Sequence, residues 1–170
     1  MASERRIRVG SPHVPEPPPG TFSRAIQVGN ELFVAGMTAN GPSGIEGGDS
    51  MGGQTTAVFT KIKHLVEAAG GTMNDIVKMT GFITDISRRD EYLKARQPFF
   101  TADPPASTLV EITALAAPGL IIEVEVMAII GSAGRGGPRH GPPHPPTLRA
   151  PRRSRGARRP LKGRHGKTRR

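Results

Sequence analysis

From residue 58 to residue 69 the apolar side chains Val58, Phe59, Ile62, Leu65, Val66 and Ala69 fall three and four apart. That spacing makes one continuous stripe along an α-helix and nothing regular along a strand. It predicts a helix over residues 51–69 that buries the stripe and turns Lys61, Lys63 and Glu67 to solvent. Gly70-Gly71 supplies the stop. The period then changes to two. Residues 75–85 alternate, with Val77, Met79, Gly81 and Ile83 on one face and Lys78, Thr80, Phe82 and Thr84 on the other. A helix with one apolar stripe, followed at once by a strand, needs a sheet to pack against.

The rest of the chain supplies that sheet. Residues 22–28 and 31–36 are strand-like runs separated by Gly29-Asn30, a two-residue hairpin signal. Residues 40–53 read as a Gly-rich loop. Ser87 with Asp90 resembles a capping signal for a second helix over residues 88–100, which Pro98 should kink or end early. Strands over residues 107–115 and 120–130 follow, joined at Pro118-Gly119. The order β-β-α-β-α-β-β predicts a two-layer α+β domain, two helices covering one face of a mixed sheet. The uncovered face would carry Phe82, Leu109 and other apolar groups. A wet apolar sheet face of that size points to a homo-oligomer.

Charge divides the chain more sharply than length does. Residues 132–170 hold 13 Lys+Arg and no acidic residue, which leaves 11 Lys+Arg against 14 acidic residues before them, a net charge of −3. The organisation expected is an extended lead-in over residues 1–18, a domain over residues 19–131, and a basic Pro/Gly/Arg-rich tail over residues 132–170. The tail has too few apolar groups to form a core and is expected to be disordered. It reads either as a non-specific nucleic-acid arm acting through counterion release or as an extension without a selected function. Cysteine is absent, which excludes disulfides and thiolate chemistry. No apolar run reaches the roughly 18 residues of a membrane helix, and residues 1–10 do not read as a secretory signal. A cytoplasmic protein without a membrane partner is expected.

Three segments carry a resemblance to a known family: "TFSRAIQVGNELFVAGMT", "TKIKHLVEAAGGTMNDIVKMTGFITDI" and "FFTADPPASTLVEITALAAPGLIIEVEVMAI". Together they resemble, in order, the opening hairpin, first helix with its strand, and closing strands of the RidA (YjgF-type) reactive-intermediate deaminase family. The resemblance implies a chorismate-mutase-like fold with a six-strand-type mixed sheet, a homotrimer, and small-molecule clefts between subunits. It also implies hydrolysis of 2-imino acids such as 2-iminobutanoate and 2-iminopropanoate to keto acids and ammonia, with no metal and no cofactor; the alternative it leaves is a nucleic-acid-associated protein, resembling the family's ribonuclease and translation-inhibitor members, that binds through the basic tail.

Such a site needs a cation for the substrate carboxylate, a positioned water, and a carboxylate to handle its proton. By resemblance, the water-orienting glutamate is Glu123, the candidate catalytic residue. The substrate-binding positions are Phe22, Gly36, Ser107 and Leu109. Here the sequence departs from the family pattern. Ser107 stands where the family has its carboxylate-binding arginine, and no Lys or Arg lies between Arg96 and Arg135, so no close neighbour is expected to take its place. Phe22 lacks the family's hydroxyl, Ala35 replaces its serine, Leu93 its asparagine, and Leu109 its cysteine. Weak or altered deamination is therefore expected, with a more apolar cleft.

Plainer roles compete with these. Glu123 also reads as an exposed strand residue with Glu125, Phe22 as core, and Ser107 with Thr108 as ordinary strand residues. Glu111 reads as structural or as part of an inter-subunit pairing. His64 reads as a surface residue, and His140, His144 and His165 have no metal-site spacing. The segment "GIEGGDSMGGQ" lacks the Lys-Ser/Thr ending of a phosphate loop.

Overall fold

A computed structural model describes residues 5–133. The basic tail, with its expected disorder and nucleic-acid role, lies outside the described residues except at its first two positions. Eight strands and two α-helices follow in order: β1 (Arg6–Val9), β2 (Ala25–Val28), β3 (Glu31–Thr38), β4 (Asn40–Gly41), β5 (Gly44–Ile45), α1 (Met51–Ala68), β6 (Ile76–Ile83), α2 (Arg89–Arg96), β7 (Ala106–Glu111) and β8 (Ile122–Ile129). The main sheet runs β1-β2-β3-β8-β6-β7. Only β6 and β7 pair in parallel, so the sheet is mixed. Both helices pack on one face, as the pattern predicts.

Helix α1 forms where the stripe places it. Val58, Phe59, Ile62, Leu65 and Val66 are all fully buried. Ser50 caps its start by accepting from the Gly53 amide at 3.0 Å. Gly70, at φ 83°, ends it. The Gly70 amide donates to Glu67 O and the Gly71 amide to Val66 O, which closes a Schellman turn. Gln54 reaches the other way. Its buried side chain donates to Gly48 O and Gly119 O and accepts from the Ile121 amide, locking the helix start to the turn before β8.

Several expectations need correction. Lys61 does not face solvent; only 6% of it is exposed. Its Nζ donates to Thr38 O at 3.2 Å and Asn40 O at 2.8 Å and pairs with Glu46 at 3.2 Å. A lysine stem can cross an apolar face and still satisfy its ammonium at the far end. Lys61→Met is expected to lower stability by about 1–3 kcal/mol, because two carbonyls lose a charged donor; thermal unfolding measures it.

Val77 does not share a face with Met79. Ile76 pairs with Ala128 but Lys78 with Met127, so Val77 is the extra residue of a bulge and is left 41% exposed. Ser87 does not cap α2: Asp85 accepts from the Ser87 amide and hydroxyl and so caps the 3-10 turn Ile86–Arg88 that leads into α2, while Arg88, the residue before the helix, makes no side-chain cap. It ends at Arg96, and a 3-10 turn containing Pro98 follows. The Gly-rich loop contains a small hairpin, β4 with β5. The expected lead-in enters the domain: Arg6–Val9 forms the edge strand beside β2, and Val9 and Val14 are buried.

Asp75, buried before β6, ties both ends of that strand's neighbourhood together. Burial pushes its pKa up. Bonds from the Ala133 and Thr72 amides and the Thr72 and Ser132 hydroxyls outweigh this and hold it below the usual carboxylate range. A depressed folded-state pKa contributes stability that is present above the unfolded pKa, about 4, and is lost as pH falls through that region. Asp75→Asn is expected to flatten the acid limb of stability between roughly pH 5 and pH 2, measured by unfolding at each pH.

Candidate active site

Register assigns every site residue to a face. On the face away from the helices, Thr38 pairs with Glu123, Glu123 with Phe82, and Phe82 with Val110. The next row holds Thr80, Glu125 and Thr108. Beyond it lie Ile26, Phe33, Met127 and Lys78. On the helix side, Ser107 pairs with Met79, and Leu109 with Gly81. Leu109 was expected beside Phe82 on the open face. It lies on the opposite one, where it packs on Gly81 and the core.

Glu123 and Gly36 form one half-site. Strand β3 bulges at Ala35-Gly36, which stand opposite Glu125 between the pairs Val34–Val126 and Met37–Val124. The bulge brings Gly36 under the Glu123 carboxylate. A Cβ on Gly36 would lie 1.8 Å from Glu123 Oε1, so any larger residue there would push the carboxylate out of its present position. Burial pushes the Glu123 pKa up, and the nearby charge of Glu125 raises it further. Phe22 lies near the same end of β3, where it shares a cavity with Thr38. It lies outside the strand, because β2 begins at Ala25, and it is 49% exposed. The Arg24 guanidinium lies 5.1 Å above its ring. Phe22 and Thr38 line a cavity of about 290 Å³ together with Lys61. Thr38 in turn is the register partner of Glu123.

Ser107 and Leu109 form a second half-site at the free edge of the sheet, on β7. Glu111, further along, accepts from the Ile86 amide at 2.6 Å and is structural as expected. Ser107 is exposed and accepts from Arg96 Nη1 at 3.0 Å. Sequence separation hid this contact: the ten residues between them, a 3-10 turn and a loop leading into β7, bring Ser107 back beside the end of α2. Arg96 thus brings a guanidinium to the position where no nearby cation was expected. Leu93 lines a cavity of about 610 Å³ with Arg96, Phe100 and Pro104. His64 is half-buried and its ring lies 4.5 Å from that of His13.

The two half-sites cannot meet within one chain. Glu123 projects from the open face and Ser107 from the helix face of the same sheet. Any cleft that uses both needs a second copy. The open face has an apolar surface for such a contact: Phe33, Val110 and Met127 are 38%, 38% and 40% exposed.

Comparison with known proteins agrees with this architecture. The family model described as Endoribonuclease L-PSP matches residues 14–130. A RutC family protein of Pyrococcus abyssi is 35% identical over 115 residues, covering 65% of this chain and 87% of that protein. A 2-iminobutanoate/2-iminopropanoate deaminase of Dermatophagoides farinae is 28% identical over 132 residues, covering 75% of this chain and 98% of the relative. The crystal structure of RidA from an Antarctic Psychrobacter superposes with a TM-score of 0.66 at 29% identity, over 73% of this chain and 99% of that one. With two helices on a mixed sheet, and the family pattern matched across most of its length, this chain belongs to the Endoribonuclease L-PSP family, the group that includes the RutC and RidA proteins.

Proposed function

We propose that this protein is a small-molecule hydrolase of the imine-deaminase type, of weakened or altered specificity, that works in clefts between copies of itself, three to an assembly. The observation that carries the proposal is the Glu123 carboxylate lying over Gly36, with a pKa raised by burial. A partly desolvated carboxylate is suited to orient a water and take its proton. The cleft is completed by β7 of a neighbouring copy, with Ser107 exposed on it and the backbone of Leu109 beside it. The relative named 2-iminobutanoate/2-iminopropanoate deaminase supports the reaction class.

The chemistry follows from these groups. Water held by Glu123 attacks the imine carbon as Glu123 accepts a proton. With the imine entering protonated, this gives the neutral amino alcohol; Glu123 returns its proton to the nitrogen and then takes the hydroxyl proton as the C–N bond breaks, which leaves the keto acid and ammonia, and the last proton passes to solvent. The step needs no metal and no cofactor. Phe22 brings an apolar wall without a hydroxyl, which favours an aliphatic substrate side chain.

The purified full chain is expected to hydrolyse 2-iminobutanoate or 2-iminopropanoate, generated in situ by an amino-acid oxidase, faster than buffer alone. Native mass spectrometry should find the activity in an oligomer. No acceleration on either imine would overturn the proposal.

A further inference from the structure

We infer that Arg96 is the anion anchor of this cleft, binding a small carboxylate beside Ser107 from α2 rather than from the strand. This rests on the shared cleft proposed above and adds the group that recognises the ligand's charge.

Three observations converge on Arg96. First, its guanidinium is held in place. Nη1 donates to Ser107 Oγ at 3.0 Å, Met79 Sδ at 3.1 Å and Tyr92 Oη at 3.4 Å, and the group lies 5.3 Å above the Tyr92 ring. Second, every one of those partners is neutral. Among the described residues no carboxylate forms an ion pair with Arg96, and its Nε and Nη2 make no hydrogen bond. A planar fork fixed at one nitrogen, with donors still free, is suited to a bidentate oxyanion. Third, Arg96 is half-buried and lines the cavity of about 610 Å³ that also touches Leu93 and Phe100. Asp90 and Lys94 line the same cavity with opposite charges, so Arg96 leaves it net cationic in a domain that is net acidic.

Ser107 has a specific part in this. Its hydroxyl is small enough to leave the edge of β7 open, and it accepts from Arg96, which orients the fork. A long cationic side chain at position 107 would crowd the same space. The serine at 107 and the arginine at 96 therefore work as a unit. The ligand class is a short monocarboxylate with an apolar side chain.

The test compares 2-oxobutanoate with its neutral amide, 2-oxobutanamide, by NMR titration of the full-length protein. Arg96→Gln should weaken the carboxylate by about tenfold to a hundredfold and leave the amide within twofold. In the imine assay KM should rise by a similar factor, with kcat little changed. Arg96→Lys should recover part of the loss, and Arg96→Gln with Ser107→Arg should recover more.

Equal loss of both ligands together with a lowered unfolding temperature would mean that Arg96 only ties α2 to β7, and would overturn the inference. So would unchanged carboxylate affinity, or no binding of 2-oxobutanoate by the unaltered protein. Glu123→Gln separates the two claims. If it abolishes hydrolysis while Arg96→Gln changes nothing, the cleft stands and the anchor falls. If Arg96→Gln alone weakens 2-oxobutanoate while hydrolysis never depends on Glu123, the anchor stands and the reaction falls.

Discussion

Glu123→Gln is expected to lower imine hydrolysis by about two to four decades while the fold and assembly persist. Glutamine keeps the length and shape that fit above Gly36 and still accepts a bond from water. It cannot take the water's proton. The pH profile gives an independent reading. Burial first, and the Glu125 charge second, raise the Glu123 pKa. The base is active only when ionised, so the rate should rise with pH around a midpoint above the ordinary carboxylate value of about 4.3. Glu125→Gln removes one cause and should move that midpoint down while sparing most of the maximal rate. Gly36→Ala reaches the same carboxylate from the other side, because its Cβ would fall on Oε1. Activity unchanged in Glu123→Gln would remove Glu123 from the mechanism.

The second large effect is expected from the open face. Phe33 and Met127 are direct register partners on β3 and β8, each well exposed in a single chain. Phe33→Glu with Met127→Glu places two carboxylates near Glu125 on a surface that other copies would cover. Like charges brought together on a desolvated face cost several kcal/mol, enough to dissociate the assembly. The variant should run as a folded monomer in size-exclusion chromatography and lose at least about a hundredfold in activity. Its unfolding temperature should fall only by the contribution of assembly. A fully active monomer would refute the shared cleft.

Much of this architecture was legible in the sequence, because it rests on periods. The stripe from Val58 to Val66 specified α1, and Gly29-Asn30 specified the β2–β3 turn. What escaped was whatever depends on a single inserted residue or on contacts across the chain. The extra Val77 shifts the alternation within β6, and no composition signal marks a bulge. Leu109 was assigned to the wrong face because parallel register between β6 and β7 is set by the intervening α2 crossover and not by a turn. Lys61 carries a charge that reads as exposed, yet its stem crosses the core edge to the carbonyls of Thr38 and Asn40. Strand β1 was hidden by a proline-rich flank whose apolar residues are few. The site itself was half legible. Glu123 and Gly36 could be identified by family resemblance, and the structure places the carboxylate where a Cβ on residue 36 would stand. Arg96 could not, because helix periodicity says nothing about which strand edge a long side chain reaches.

The account turns on one site being built from two copies. Subunit mixing tests this directly. Glu123→Gln disables one half of each cleft, and Ser107→Trp blocks the other half. Each variant alone should be inactive. Unfolded together and refolded, they should form mixed assemblies in which about a quarter of the clefts combine two intact halves, and activity should return to that fraction of the unaltered protein. Mixed assemblies verified by native mass spectrometry that remain inactive would contradict the shared cleft.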